Sequence, residues 1–115
     1  MSMRAALAFP NALQQADINF SSSGDNIIVL GVVLRQIKVF RLKLLCAGAT
    51  AVALKDGVGI VLDGPLSFAA NQGMILDFTS IDMPPWYTTS YGNSFVINST
   101  NAVQIGGSLD YSVAT

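Results

Sequence analysis

Asp77 and Asp82 are the two acidic side chains closest together in a 115-residue chain whose seven acids are all aspartate. Two carboxylates are the minimum equipment for glycoside hydrolysis, one as proton donor and one as nucleophile or base. The rest of that machinery is missing. The chain has no histidine and no glutamate. Histidine is the usual general base near neutral pH, and an aspartate needs strong tuning to replace it. Without histidine no Ser-His-Asp or Cys-His nucleophile pair can be assembled. Zinc sites draw on clusters of Cys and His, and here Cys46 stands alone. No D-x-[DN]-x-[DN]-G run suggests calcium, and no Gly-rich phosphate loop is present, since Gly57 and Gly59 read as a turn between strands. The inventory therefore predicts a protein that is not an enzyme and that carries no metal or cofactor. Cys46 is flanked by Leu44, Leu45, Ala47 and Gly48. Such a thiol is expected to be buried as a small hydrophobe, and nothing in it implies an oxidising compartment.

Binding chemistry is better represented. Four of the six basic residues, Arg35, Lys38, Arg41 and Lys43, fall within nine positions. They suit either an acidic partner surface or the solvated face of one strand. With a net charge of −1 the chain has no global basic field, so no nucleic-acid partner is expected. Asp82, Trp86, Tyr87 and Tyr91 combine aromatic faces with a polar side chain, as a sugar site does. The same aromatics suit a plug at the end of a β domain, where each buries a large area. Phe9 and Leu13 are apolar side chains in an Ala- and Gln-rich stretch without strand pattern, and are candidates to dock on a partner.

These residues have to be positioned by β structure. Charged residues are 11% of the chain, hydrophobic residues 51%, and mean hydropathy is +0.51. An ordinary soluble domain has about 25% charge. So few charges imply that apolar surface is hidden against partners, and a homo-oligomer is expected. Residues 1–17 read as an N-terminal arm with a helical turn or two at most. Residues 18–115 read as a single domain of eight to nine short strands separated by Gly, Asp, Asn and Pro turns. That spacing predicts an all-β antiparallel sandwich or barrel. In 37–47 the apolar positions change parity, from Ile37 and Val39 to Leu42, Leu44 and Cys46. A parity change predicts a bulge or burial on both faces. Residues 60–62 are expected to form a strand stopped by Asp63-Gly64-Pro65, and 74–78 another after an Asn71-Gln72-Gly73 turn. Gly106-Gly107 predicts a bulge or close backbone contact. No run of about 20 apolar residues is present, so no membrane span is expected. The five-residue apolar stretch before Pro10 is too short for a secretory signal.

From Ser23 to Tyr111 the chain resembles a family of short proteins encoded by tailed bacteriophages and prophages. The resemblance rests on Ser23-Gly24-Asp25-Asn26 before a strand and Ile37-x-Val39 leading to Ala47-Gly48. It continues through Gly64-Pro65, Ala69-Ala70-Asn71-x-Gly73 and an aromatic pair near Trp86. It ends at Val103-x-Ile105-Gly106-Gly107-x-Leu109-x-Tyr111. It implies a virion structural protein, similar to the jelly-roll proteins that decorate and cement capsids, often as trimers. The implied partners are the protein itself, as a homotrimer, and the major capsid protein. The implied location is the outer surface of the capsid, after synthesis in the bacterial cytoplasm. The alternative is a receptor- or glycan-binding module of a tail fibre or spike. The basic cluster at 35–43 and the aromatic loop at 79–93 depart from the family pattern.

Because neither a metal nor a thiol is expected to support the fold, melting curves with and without chelator or reductant should coincide. A shift of many degrees in either would reveal a site.

Overall fold

The computed structural model describes residues 13–77 and 84–115, and among these the chain forms nine strands and no helix. They are β1 (Gln14–Phe20), β2 (Gly24–Val29), β3 (Gln36–Cys46), β4 (Thr50–Asp56), β5 (Ile60–Phe68), β6 (Gln72–Leu76), β7 (Tyr87–Thr88), β8 (Phe95–Ser99) and β9 (Ile105–Ala114). The first sheet has the order β1-β9-β3-β6, with β7 also paired to β3, and the second the order β2-β8-β4-β5. The antiparallel pairs β1·β9, β2·β8, β3·β6 and β4·β5 are nested inside one another. Pairs β3·β9 and β4·β8 join them laterally. Nested pairs shared between two sheets are the connectivity of a jelly roll. The expected all-β antiparallel sandwich is the fold.

The core lies between the sheets. Ile18, Ile37, Val39, Leu42, Leu44, Cys46, Ile105 and Leu109 from the first sheet meet Val29, Val52, Leu54, Phe95 and Ile97 from the second. The parity change in β3 has the anticipated cause. Val39 faces Tyr111 and Arg41 faces Asp110, so Phe40 is an extra residue opposite none. The bulge lets both halves of β3 turn their apolar side chains inward. Cys46 is buried there as a free thiol. Burial pushes its pKa up.

Three expectations need correction. Of the arm expected at 1–17, Gln14 to Asp17 instead pair with Tyr111 to Ser108 and belong to β1. Gln14, Gln15 and Asp17 are exposed on this edge strand, so only Ile18 announces the strand in the sequence. Residues 1–12, including Phe9, lie outside the described residues. Secondly, β5 does not stop at Asp63 but runs through Gly64-Pro65 to Phe68. Among the described residues it pairs only with β4. On an edge strand a missing N–H leaves no ladder bond broken, and register shifts opposite Val52 to Lys55 absorb the irregularity. Thirdly, Gln72 and Gly73 belong to β6, not to a turn.

The middle of the second sheet's outer face is covered by its own side chains, whereas Ile27 and Val61 at its flanks are exposed. Val96 and Ala53 alternate with the inward Phe95, Ile97, Val52 and Leu54, yet both are buried. Lys55 on β4 reaches across β8 to Asp25 on β2, with Nζ donating at 3.0 and 3.2 Å. Asn98 Nδ2 donates to the same carboxylate at 2.7 Å. The apolar stem of Lys55 thus lies over its cross-strand neighbour Val96. Hydrogen bonds from Asn98 and then Lys55 hold the Asp25 carboxyl below its ordinary pKa.

Gly107 is the close contact that the glycine pair foretold. Its φ is +155°, and a Cβ there would overlap the Lys43 carbonyl oxygen. Gly107→Ala should lower stability by about 1–3 kcal/mol through strain and overpacking, measured by urea denaturation against wild type.

Candidate docking surfaces

Three loops meet at one end of the sandwich: residues 30–35 between β2 and β3, 57–59 between β4 and β5, and 89–94 between β7 and β8. Hydrogen bonds from distant parts of the chain fix them. Gly31 N donates to Ser94 Oγ at 2.8 Å, Gly57 N to the Ser94 carbonyl at 2.8 Å, and Gly92 N to the Arg35 carbonyl at 2.8 Å. Buried Thr89 exchanges two bonds with Ile37, its N donating to the Ile37 carbonyl and its Oγ1 accepting from Ile37 N, both at 2.9 Å. A Cβ on Gly31 would overlap the Gly92 carbonyl, so only glycine admits this approach.

Asp56, buried at the end of β4, anchors the third loop. Its carboxylate accepts from Ser90 N at 3.0 Å, Ser90 Oγ at 2.7 Å and Asn93 Nδ2 at 3.0 Å. Burial opposes ionisation, but these hydrogen bonds outweigh it and leave the pKa below the ordinary value.

This rigid end is apolar. Leu30, Val33, Leu34, Val58 and Tyr91 are 72%, 80%, 75%, 72% and 59% exposed. Arg35 N donates to the Val32 carbonyl at 3.0 Å, closing a four-residue turn. Leu34 in its third position has a φ of 63°. Glycine favours that position, and a branched side chain there costs about 1–2 kcal/mol. The turn carries Val33 and Leu34 at its two central positions, where both are exposed.

A second surface is the outer face of the first sheet. Laterally aligned residues form rows across it: Gly73, Leu45, Gly106 and Asn19 in one, Ile75, Lys43, Ser108 and Asp17 in the next. Glycines on both sides of Leu45 leave a trough of about 590 Å³, lined also by Lys43, Met74 and Ile75. Leu45 and Ile75 are exposed.

The basic cluster is divided between these surfaces. Arg35 lies at the apolar end, whereas Lys38, Arg41 and Lys43 lie along β3. Arg41 is ion-paired, with Nε 3.4 Å from Asp77 and Nη1 3.5 Å from Asp110. Lys38 and Lys43 make no ion pair with the described residues.

The aromatic group divides too, and Asp82 lies outside the described residues. Tyr87 turns inward, with its ring stacked on Phe95 at 6.3 Å and its hydroxyl donating to Asp63 Oδ2 at 2.6 Å. It ties the first sheet to the second, which is the plug role. Burial, then the hydrogen bond to Asp63 and that carboxylate's charge, raise its pKa. Trp86 is half-exposed, and its Nε1 donates to the Asp77 carbonyl at 3.1 Å. Tyr91 joins the apolar end. Leu13 is exposed just before β1. Leu30, Val32, Val33 and Leu34 are not among the candidates that the sequence singled out. The available signal was an apolar run around Gly31 with no polar alternation.

Comparison of the chain with family models, with curated proteins and with solved structures finds no match.

The carboxylate anchor generates a pH prediction. Asp25 and Asp56 have folded pKa values below those of unfolded aspartate. Their stabilisation is therefore complete above about pH 4 and lost as the pH falls through the lowered folded values. Asp56→Asn should reduce stability at pH 7 by about 1–3 kcal/mol and flatten the acid limb of a stability-against-pH curve, measured by urea denaturation.

Proposed function

We propose that the protein is a structural virion component, a capsid decoration protein of a tailed bacteriophage that binds the assembled head as a homotrimer and stabilises it. The observation that carries this reading is the outer face of the first sheet. There an apolar trough beside Leu45 and Ile75 is bordered by Lys43, with Lys38 further along the same strand. Such a face suits a shell surface with apolar ridges and exposed acids. The lysines steer and orient the contact, and the apolar area holds it. A protein that binds the assembled lattice in preference to free subunits stabilises the shell by mass action, without chemistry. The resemblance of residues 23–111 to small phage virion proteins supports the same reading, as does the jelly-roll connectivity. On it, the protein is made in the bacterial cytoplasm and ends on the outer surface of the capsid.

One observation favours a second reading. Trp86 offers a half-exposed aromatic face beside the Arg41–Asp77 pair, which would suit a sugar ring in a tail-fibre or spike module.

The test is addition of purified protein to undecorated heads of a phage that encodes it, counting bound copies by quantitative gel analysis. Decoration requires hundreds of copies per head and binding that weakens as salt rises. Lys43→Glu should weaken binding roughly tenfold, about 1.4 kcal/mol, without changing the melting temperature. A few dozen copies confined to the tail would select the fibre reading.

A further inference from the structure

We propose that the apolar end formed by loops 30–35, 57–59 and 89–94 is the surface through which copies of this chain hold one another. This rests on the reading of the protein as a self-associating virion component and names the contact it uses.

Leu30, Val32, Val33, Leu34, Val58 and Tyr91 are all exposed there, presenting on the order of 500 Å² of apolar surface. A soluble monomer tolerates patches of only a few hundred Å². Each copy joined over this end covers about 500 Å², or about 1,000 Å² for a pair, which is the lower limit for a specific contact.

The charge pattern selects a second copy as the occupant. Arg35 is the one charged side chain exposed on these three loops, and Asp56 beneath them is buried and bonded to Ser90 and Asn93. A surface that meets itself about a symmetry axis repeats every charge it carries, so a nearly uncharged patch is self-compatible. A bilayer with anionic headgroups would call for several cations.

The loops are also preorganised. Ser94, Asp56, Thr89 and Arg35 hold them through bonds already made within one chain, so association orders little further backbone. The positive φ of Leu34 keeps an apolar side chain at a position where glycine would relieve strain. The end is separate from the trough beside Leu45, so self-association leaves the proposed shell-binding face open.

The test is light scattering during gel filtration on the full-length protein, Val33→Asp and Leu34→Gly. Wild type is expected to be an oligomer at micromolar concentration. Val33→Asp should elute as a monomer with an unchanged circular dichroism spectrum. Leu34→Gly, which removes strain and side chain together, should weaken association at least tenfold and keep the wild-type circular dichroism spectrum. It decides the matter if Val33→Asp fails to fold. Variants that keep the wild-type mass overturn the surface, while head binding by the same samples judges the decoration reading separately. A monomeric wild type, including one that binds phosphatidylserine vesicles instead, overturns the proposal even if it decorates heads.

Discussion

The extra residue at Phe40 is the constraint on which the two faces of the molecule depend. Strand β3 pairs with β9 along its length, with β6 at one end and with β7 at the other. A straight strand would turn either Ile37 and Val39 or Leu42, Leu44 and Cys46 to solvent, because side chains alternate with a period of two. The bulge removes that conflict, and all five are buried. It also sets what faces outward. Lys38 precedes the shift, Arg41, Lys43 and Leu45 follow it, and the last three line up with Asp110, Ser108 and Gly106 on β9. Thus one inserted residue closes the core, pairs Arg41 with Asp110 and leaves Lys43 beside the trough.

The two ends of the long strands are stabilised differently. Around Thr50 and Ser99, buried hydroxyls bond to each other at 2.9 Å and to nearby backbone. At the opposite end a buried carboxylate does the fastening, since Asp56 takes three donors from the 90–93 loop. Charge-assisted bonds are stronger than hydroxyl bonds. The stronger fastening lies under the loops that carry the exposed apolar residues and the strained Leu34.

The fold was legible where burial follows the local pattern. The parity change in β3, the turn at Asp56-Gly57 and the glycine contact at Gly107 each rest on a few neighbouring residues. Misreadings arose where a residue distant in sequence decides the outcome. The beginning of β1 is polar and becomes a strand only because β9 supplies its ladder. Pro65 is tolerated because β5 lies at an edge. The run from Leu30 to Leu34 has the composition of a buried strand, yet contact of Gly31 with Gly92 draws it out of the sheet. The sites show the same division. The inward role of Tyr87 follows from its size, but its partner Asp63 lies 24 residues away. Arg41 looked like part of a basic patch, and Asp77 and Asp110 offset it.

The acids account for the character of the surface. Asp25 binds Lys55 and Asn98, Asp56 binds Ser90 and Asn93, Asp63 takes the Tyr87 hydroxyl, and Asp77 and Asp110 share Arg41. Five of the six aspartates among the described residues are thus internal fasteners, and they also engage Lys55 and Arg41, two of the five described basic residues. What the fold leaves to solvent is therefore mostly neutral polar and aliphatic, with Lys43 and Asp17 on one face and Arg35 at one end. Aliphatic surface held rigid in water gains free energy by being covered, in proportion to the area removed. A small sandwich that uses most of its scarce charges internally is thereby poised for function through contact, with the lysine-bordered trough and the exposed apolar end suited to different neighbours.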